Sequence, residues 1–182
     1  MKKCFPRKNP NVIGDLGEHA SFLLTNEVEK DGSVPDQSKA VFFDIGNVLA
    51  SPVISSDHTT LVGLSVYPFV PEVLDAVRKQ QAQLGIISNT APSDTTETMK
   101  AVLEKAGLLR FFDVKLLLFS SVEGMDKTRV ELFQRAAARA ELPPRNCVFV
   151  GEDEKERNVA RRALFKVSFH PLHVFQVLKE MS

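Results

Sequence analysis

The chain has 182 residues, 43% hydrophobic and 25% charged, which is the make-up of one ordinary globular domain. At this length folding buries roughly two-thirds of the surface the unfolded chain exposes, so neither disulfides nor a structural metal is required. Lys plus Arg number 23 and Asp plus Glu number 23, so the formal charge is zero and the basic footprint of a nucleic-acid or anionic-membrane binder is missing.

Residues 1–39 read as an N-terminal extension, partly helical and either docked or flexible. They are polar and punctuated by Pro6, Pro10, Gly14, Gly17, Gly32 and Pro35. One amphipathic helix is expected near residues 16–28, with Asp15 and Glu18 as a capping box. Met1-Lys2-Lys3 is followed by no apolar stretch, so a secretory signal is not expected. The longest apolar runs, such as Leu116–Phe119, have the length of strands rather than of a membrane span.

From residue 40 to 182 strand and helix signals alternate. Ala40-Val41-Phe42-Phe43 is a continuous apolar run, as in a strand buried on both faces. A loop over residues 50–69 follows. Pro71 suits a first helical turn, and Val73, Leu74 and Val77 predict a helix ending near Gln83. Leu84-Gly85-Ile86-Ile87 is the second strand. Asp94 with Glu97 predicts a capped helix carrying Met99, Val102, Leu103 and Ala106 on one face, ended by Gly107. Val114 to Phe119 is expected as a third strand, and a helix from Arg129 to Ala140 stops at Pro143-Pro144. Cys147–Val150 is the fourth strand. A helix to Ala163, a fifth strand at Phe165–Phe169 and a last helix from Pro171 close the chain.

Such alternation predicts an α/β fold: a Rossmann-like three-layer sandwich with an open, five-stranded parallel sheet and helices on both faces. In that architecture ligands bind beyond the carboxyl ends of the strands. The residues there are Asp44-Ile45-Gly46-Asn47, Ser88-Asn89-Thr90 and Gly151-Glu152-Asp153, with Lys127 entering the helix after the third strand. A strand-end Asp can act as a nucleophile towards phosphorus. A lysine, a magnesium ion and hydroxyl or amide donors would then balance the phosphoryl charge. Carboxylates from separate strands suit Mg²⁺, which keeps several waters and takes few protein ligands.

These segments resemble the four motifs of the haloacid dehalogenase (HAD)-like hydrolase superfamily. The first stands as Val41-Phe42-Phe43-Asp44-Ile45-Gly46-Asn47-Val48-Leu49 and the second as Gly85-Ile86-Ile87-Ser88-Asn89-Thr90. The third is Lys127 before Glu131-Leu132-Phe133, and the fourth is Val148-Phe149-Val150-Gly151-Glu152-Asp153. The resemblance spans residues 40–170. It implies a phosphatase in which Asp44 attacks phosphorus to form an aspartyl phosphate. Ser88 and Asn89 would bind phosphoryl oxygens, and Lys127 would neutralise them. Asp44, the Gly46 carbonyl and Glu152 or Asp153 would hold Mg²⁺, with Glu156 a further acid to consider.

Two positions depart from the family pattern. Its phosphatases carry a second Asp two residues after the nucleophile, which protonates the leaving group; here that position is Gly46. Loss of a positioned acid–base typically costs about 10²–10⁴ in rate. Asp57 and His58 are the nearest substitutes in sequence, though ordinary loop residues by default. The fourth motif begins with Glu152 in place of Asp. The expected phosphatase therefore has reduced activity, and a catalytically weak or inactive binding protein of the same fold is the alternative. Dehalogenation of small organic acids ranks third.

The family's helical cap would lie between the first and second motifs, where only the loop over residues 50–69 is available. A capless or minimal-cap, open site is expected, facing a phosphorylated substrate that is either a small molecule or a macromolecule. Two cysteines and four histidines predict no disulfide framework or zinc site, which suits a reducing cytoplasm. Neither a nucleic-acid patch nor a membrane partner is expected, and the sequence carries no signal of oligomeric state.

Overall fold

The computed structural model describes residues 38–56 and 61–181. The expected helix near residues 16–28, and Asp57 and His58, lie outside the described residues. Seven strands are described: β1 (Lys39–Phe43), β2 (Ala50–Ile54), β3 (Leu61–Val66), β4 (Ala82–Ser88), β5 (Leu117–Phe119), β6 (Cys147–Val150) and β7 (Lys166–Ser168). The helices are α1 (Val70–Lys79), α2 (Thr96–Lys105), α3 (Ser120–Glu123), α4 (Val130–Arg139), α5 (Glu154–Arg162) and α6 (Val174–Lys179). Five strands form the expected parallel sheet in the order β5-β4-β1-β6-β7.

The apolar run Ala40–Phe43 becomes the central strand because both its faces are covered. Val41 and Phe43 pack with Leu74 and Val77 of α1, Leu103 of α2 and Val174 of α6. Ala40 and Phe42 point the other way, to Phe133 and Ala136 of α4 and Ala160 of α5. Period-two alternation therefore feeds two separate cores from one strand, and no residue in the run is exposed.

Gly85, beside Phe42 in the register, is fixed by crowding. A Cβ there would stand 2.6 Å from the Phe42 ring and 2.8 Å from the Leu116 carbonyl oxygen. Gly107 ends α2 with φ of +70°, a left-handed conformation that costs glycine nothing, and its N–H reaches the Glu104 carbonyl. Cys147 is a packing residue: burial pushes its thiol up to about 12.

Four local expectations need correction. Residues 50–69 hold more than a loop, because β2 and β3 pair antiparallel with Pro52 opposite Leu64. Proline is tolerated there since each strand of a two-stranded ribbon has a free edge. α1 ends at Lys79 and not near Gln83, because Gln81 takes a positive φ and the chain enters β4 at Ala82. α2 is capped by Thr95 and Thr98, whose side chains bond reciprocally to each other's backbone N–H, and not by Asp94 with Glu97. The third sheet strand is only Leu117–Phe119, since Asp113 accepts from Lys115 N–H and starts a 3₁₀ turn over Val114–Leu116. No helix among the described residues is long and apolar enough to cross a membrane.

Candidate active site

The parallel sheet sends the ends of β1, β4 and β6 to one edge, and the residues singled out in the sequence meet there. Asp44 continues β1, held by its N–H to the Val150 carbonyl of β6 at 2.9 Å. Its Oδ1 accepts the Ile45 N–H at 2.8 Å and the Ser88 hydroxyl, from the end of β4, at 3.0 Å. Its Oδ2 is paired with the Lys127 ammonium. Asp44, Ser88 and Lys127 are 8%, 5% and 2% exposed, so this contact is almost fully withdrawn from water.

Lys127 arrives from the segment between α3 and α4, and two devices set its position. Its N–H donates to Asn89 Oδ1 at 3.0 Å, tying the segment to the end of β4. Buried Glu123, at the end of α3, accepts from Arg135 and Arg139 of α4 at 2.8–2.9 Å and clamps the start of the segment. The Lys127 Nζ also lies 5.9 Å from the centre of the Phe149 ring.

Glu156 is the partner that sequence reasoning left out of the catalytic set. It stands in the first turn of α5, with Oε2 2.8 Å from Lys127 Nζ and Oε1 accepting from Asn89 Nδ2 at 3.3 Å. Burial pushes the Glu156 carboxyl above its usual value, the Lys127 ammonium opposes this, and the negative charges of Asp44 and Asp153 add to it. The available signal was its spacing, three residues beyond the N-cap Asp153 and on the same side of the first turn.

The fourth-motif acids differ in their engagement. Glu152 Oε1 accepts from Asn47 Nδ2 at 3.2 Å, which brings it over the loop after β1. Asp153 is the N-cap of α5, its Oδ1 taking the Lys155 N–H at 2.6 Å. Arg157 holds the turn between them through the Gly151 and Glu152 carbonyls. Gly46 has nothing within 4 Å of where a Cβ would stand, so its lack of a side chain is not imposed by crowding.

Four carboxylates gather at this edge, those of Asp44, Glu152, Asp153 and Glu156, and the Lys127 ammonium pairs with two of them, Asp44 and Glu156. No three His, Cys, Asp or Glu side chains among the described residues converge on one metal position. The donor set nevertheless fits a hard divalent cation of the magnesium type, which needs only one or two carboxylates, a carbonyl and its own waters. Asp44, the Gly46 carbonyl and Glu152 would hold it.

A sequence model of the haloacid dehalogenase-like hydrolases matches residues 57–163. That stretch contains Ser88, Lys127, Glu152, Asp153 and Glu156 and begins beyond Asp44. No curated protein matches the chain significantly. Among solved structures, a HAD-superfamily hydrolase from Ehrlichia chaffeensis is similar with a TM-score of 0.60 and 14% identity, over 79% of this chain and 97% of that one. A HAD phosphatase from Thermococcus onnurineus is similar with a TM-score of 0.61 and 15% identity, over 77% and 97%. A dehalogenase matches with a TM-score of 0.60 and 15% identity, over 74% and 85%. At these identities the likeness is one of fold.

Proposed function

The chain belongs to the haloacid dehalogenase-like hydrolase family, and we propose that it is a Mg²⁺-dependent phosphatase working through an aspartyl phosphate on Asp44. The observation that carries this reading is the buried contact of Asp44 with Ser88 and Lys127 at the strand ends. In it a carboxylate, a hydroxyl and an ammonium surround one point.

The Asp44 carboxylate attacks phosphorus, the phosphorus–oxygen bond to the alcohol breaks, and an acyl phosphate forms. Water then cleaves this anhydride, returning the carboxylate and releasing phosphate. Ser88 and Asn89 orient the phosphoryl oxygens, and Lys127 balances the charge that builds on them. Mg²⁺, when bound, supplies further positive charge against Asp44 and the phosphoryl group.

The proton is the weak link, since Gly46 offers none to the departing oxygen. This favours a second reading, a catalytically weak or inactive binding protein. A dehalogenase would use the same strand-end Asp on carbon and would release halide from a haloacid.

The test is phosphate release from p-nitrophenyl phosphate. Wild-type protein is expected to turn it over only with Mg²⁺, and Asp44→Asn to lower the rate by about 10³ or more. Turnover that survives Asp44→Asn contradicts the proposal. Metal binding without turnover moves the chain to the second reading, and halide release to the third.

A further inference from the structure

A cavity of about 330 Å³ opens beside the strand ends. Ser88, which bonds to Asp44, lines it together with Gly46 and Asn89. Thr90 and Asp94 add polar groups on that side, while Ile45, Met99 and one face of the β2–β3 ribbon form an apolar wall. In the register Pro52 pairs with Leu64 and, past an irregularity between Val53 and Ile54, Ile54 pairs with Leu61, which turns these four side chains to one face. All four line the cavity. Among the described residues the only ionisable group on the walls is Asp94, an acid, and no Lys or Arg is among them.

Resting on the phosphatase reading above, we infer that the substrate is a phosphate monoester of a compact, uncharged apolar alcohol, with aryl phosphates preferred. Three features carry this. The apolar walls gain from a hydrocarbon group and lose water that a sugar or nucleoside would keep. A second phosphate or carboxylate would meet Asp94, with no Lys or Arg among the described lining residues to receive it. The volume is at the small end for ligand sites, enough for one ring and its substituents.

The preference for aryl esters comes from Gly46. An alkoxide leaves poorly without a proton donor, whereas a phenolate, the base of an acid of pKa about 10, leaves without one. The absent acid and the apolar wall therefore select the same class of ester from two directions.

Phenyl, benzyl and glycerol phosphate separate the two terms. Benzyl and glycerol phosphate both leave as alkoxides, so their ratio of kcat/KM reads the cavity. Phenyl against benzyl reads the leaving group. Benzyl phosphate is expected to exceed glycerol phosphate by at least about tenfold, and phenyl phosphate to exceed benzyl. Leu64→Asp is expected to reduce the benzyl-to-glycerol ratio at least about tenfold. Ile54→Asp, at a side chain already 44% exposed, gives the same readout with less risk to folding.

Equal rates for benzyl and glycerol phosphate, or a ratio unchanged in both variants, overturn the inference while leaving the phosphatase reading intact. A phosphotyrosine peptide cleaved at least about tenfold better than phenyl phosphate would assign the site to protein substrates and overturn the small-molecule assignment. If no ester shows Asp44-dependent turnover the phosphatase reading fails, and binding alone then decides the cavity. Calorimetry with benzylphosphonate and methylphosphonate is expected to favour the benzyl compound by at least about tenfold; equal affinities overturn the inference.

Discussion

Lys127→Met is expected to lower phosphatase turnover by roughly 10²–10³ and the free energy of unfolding by about 3–5 kcal/mol. Both effects follow from one geometry. The Lys127 side chain is 3% exposed, and the carboxylates it bridges, Asp44 and Glu156, are 12% and 16% exposed. Methionine keeps most of the unbranched, apolar stem but removes the ammonium, and with it the charge over the Phe149 ring. Two carboxylates are then left facing each other with little water to solvate them, which is the costly way to break a buried ion pair. The kinetic loss has a separate cause, because the phosphoryl group loses the ammonium that balances it. Denaturant unfolding and steady-state kinetics read the two effects independently. A stability change below about 1 kcal/mol would show that Lys127 is solvated like a surface lysine and not the core of a buried triad.

Gly46→Asp is the substitution expected to raise activity. Nothing stands within 4 Å of the position its Cβ would take, and Gly46 is not among the glycines with a positive φ. An L-residue therefore fits without strain. Its carboxyl would sit two residues after Asp44, on the loop that also carries Asn47 and its bond to Glu152. A positioned acid contributes about 10²–10⁴ in rate. The full gain is expected for alkyl esters, which need the proton, and little for p-nitrophenyl phosphate, which does not. A uniform gain across both classes would mean that the new carboxylate acts through charge rather than proton transfer. No gain on alkyl esters would mean that the missing acid does not limit turnover.

The sheet was legible because its signals are local. Four consecutive apolar residues at Ala40–Phe43 fit a strand with both faces covered, and strands of that kind put their carboxyl ends on one edge. That rule singles out Asp44 and Ser88, whereas Lys127 is marked by its place before the helix after the third strand, 83 residues from the Asp44 it pairs with. The ribbon of β2 and β3 was not legible. Pro52 and the serines around it read as loop, and an isolated ribbon needs no continuous apolar run because both its edges are free. Val114 and Leu116 are apolar and lengthen the expected third strand, yet Asp113 turns the chain first. In the sequence Glu156 stands out only as a further acid for a metal. Its pairing with Lys127 depends on where α5 starts, which Asp153 sets through its cap. The distinction between Glu152, turned to the loop after β1, and Asp153, engaged with its own helix, likewise rests on side-chain direction that spacing does not encode.

The measurement closest to the central claim is to trap the covalent intermediate. Protein mixed with Mg²⁺ and a labelled aryl phosphate is quenched in acid, which preserves acyl phosphates, and the labelled peptide is mapped. The phosphoryl group is expected on Asp44, and Asp44→Asn is expected to carry no label. Label on any other residue, or turnover with no label on wild-type protein under conditions where hydrolysis of the intermediate is slow, would contradict the account.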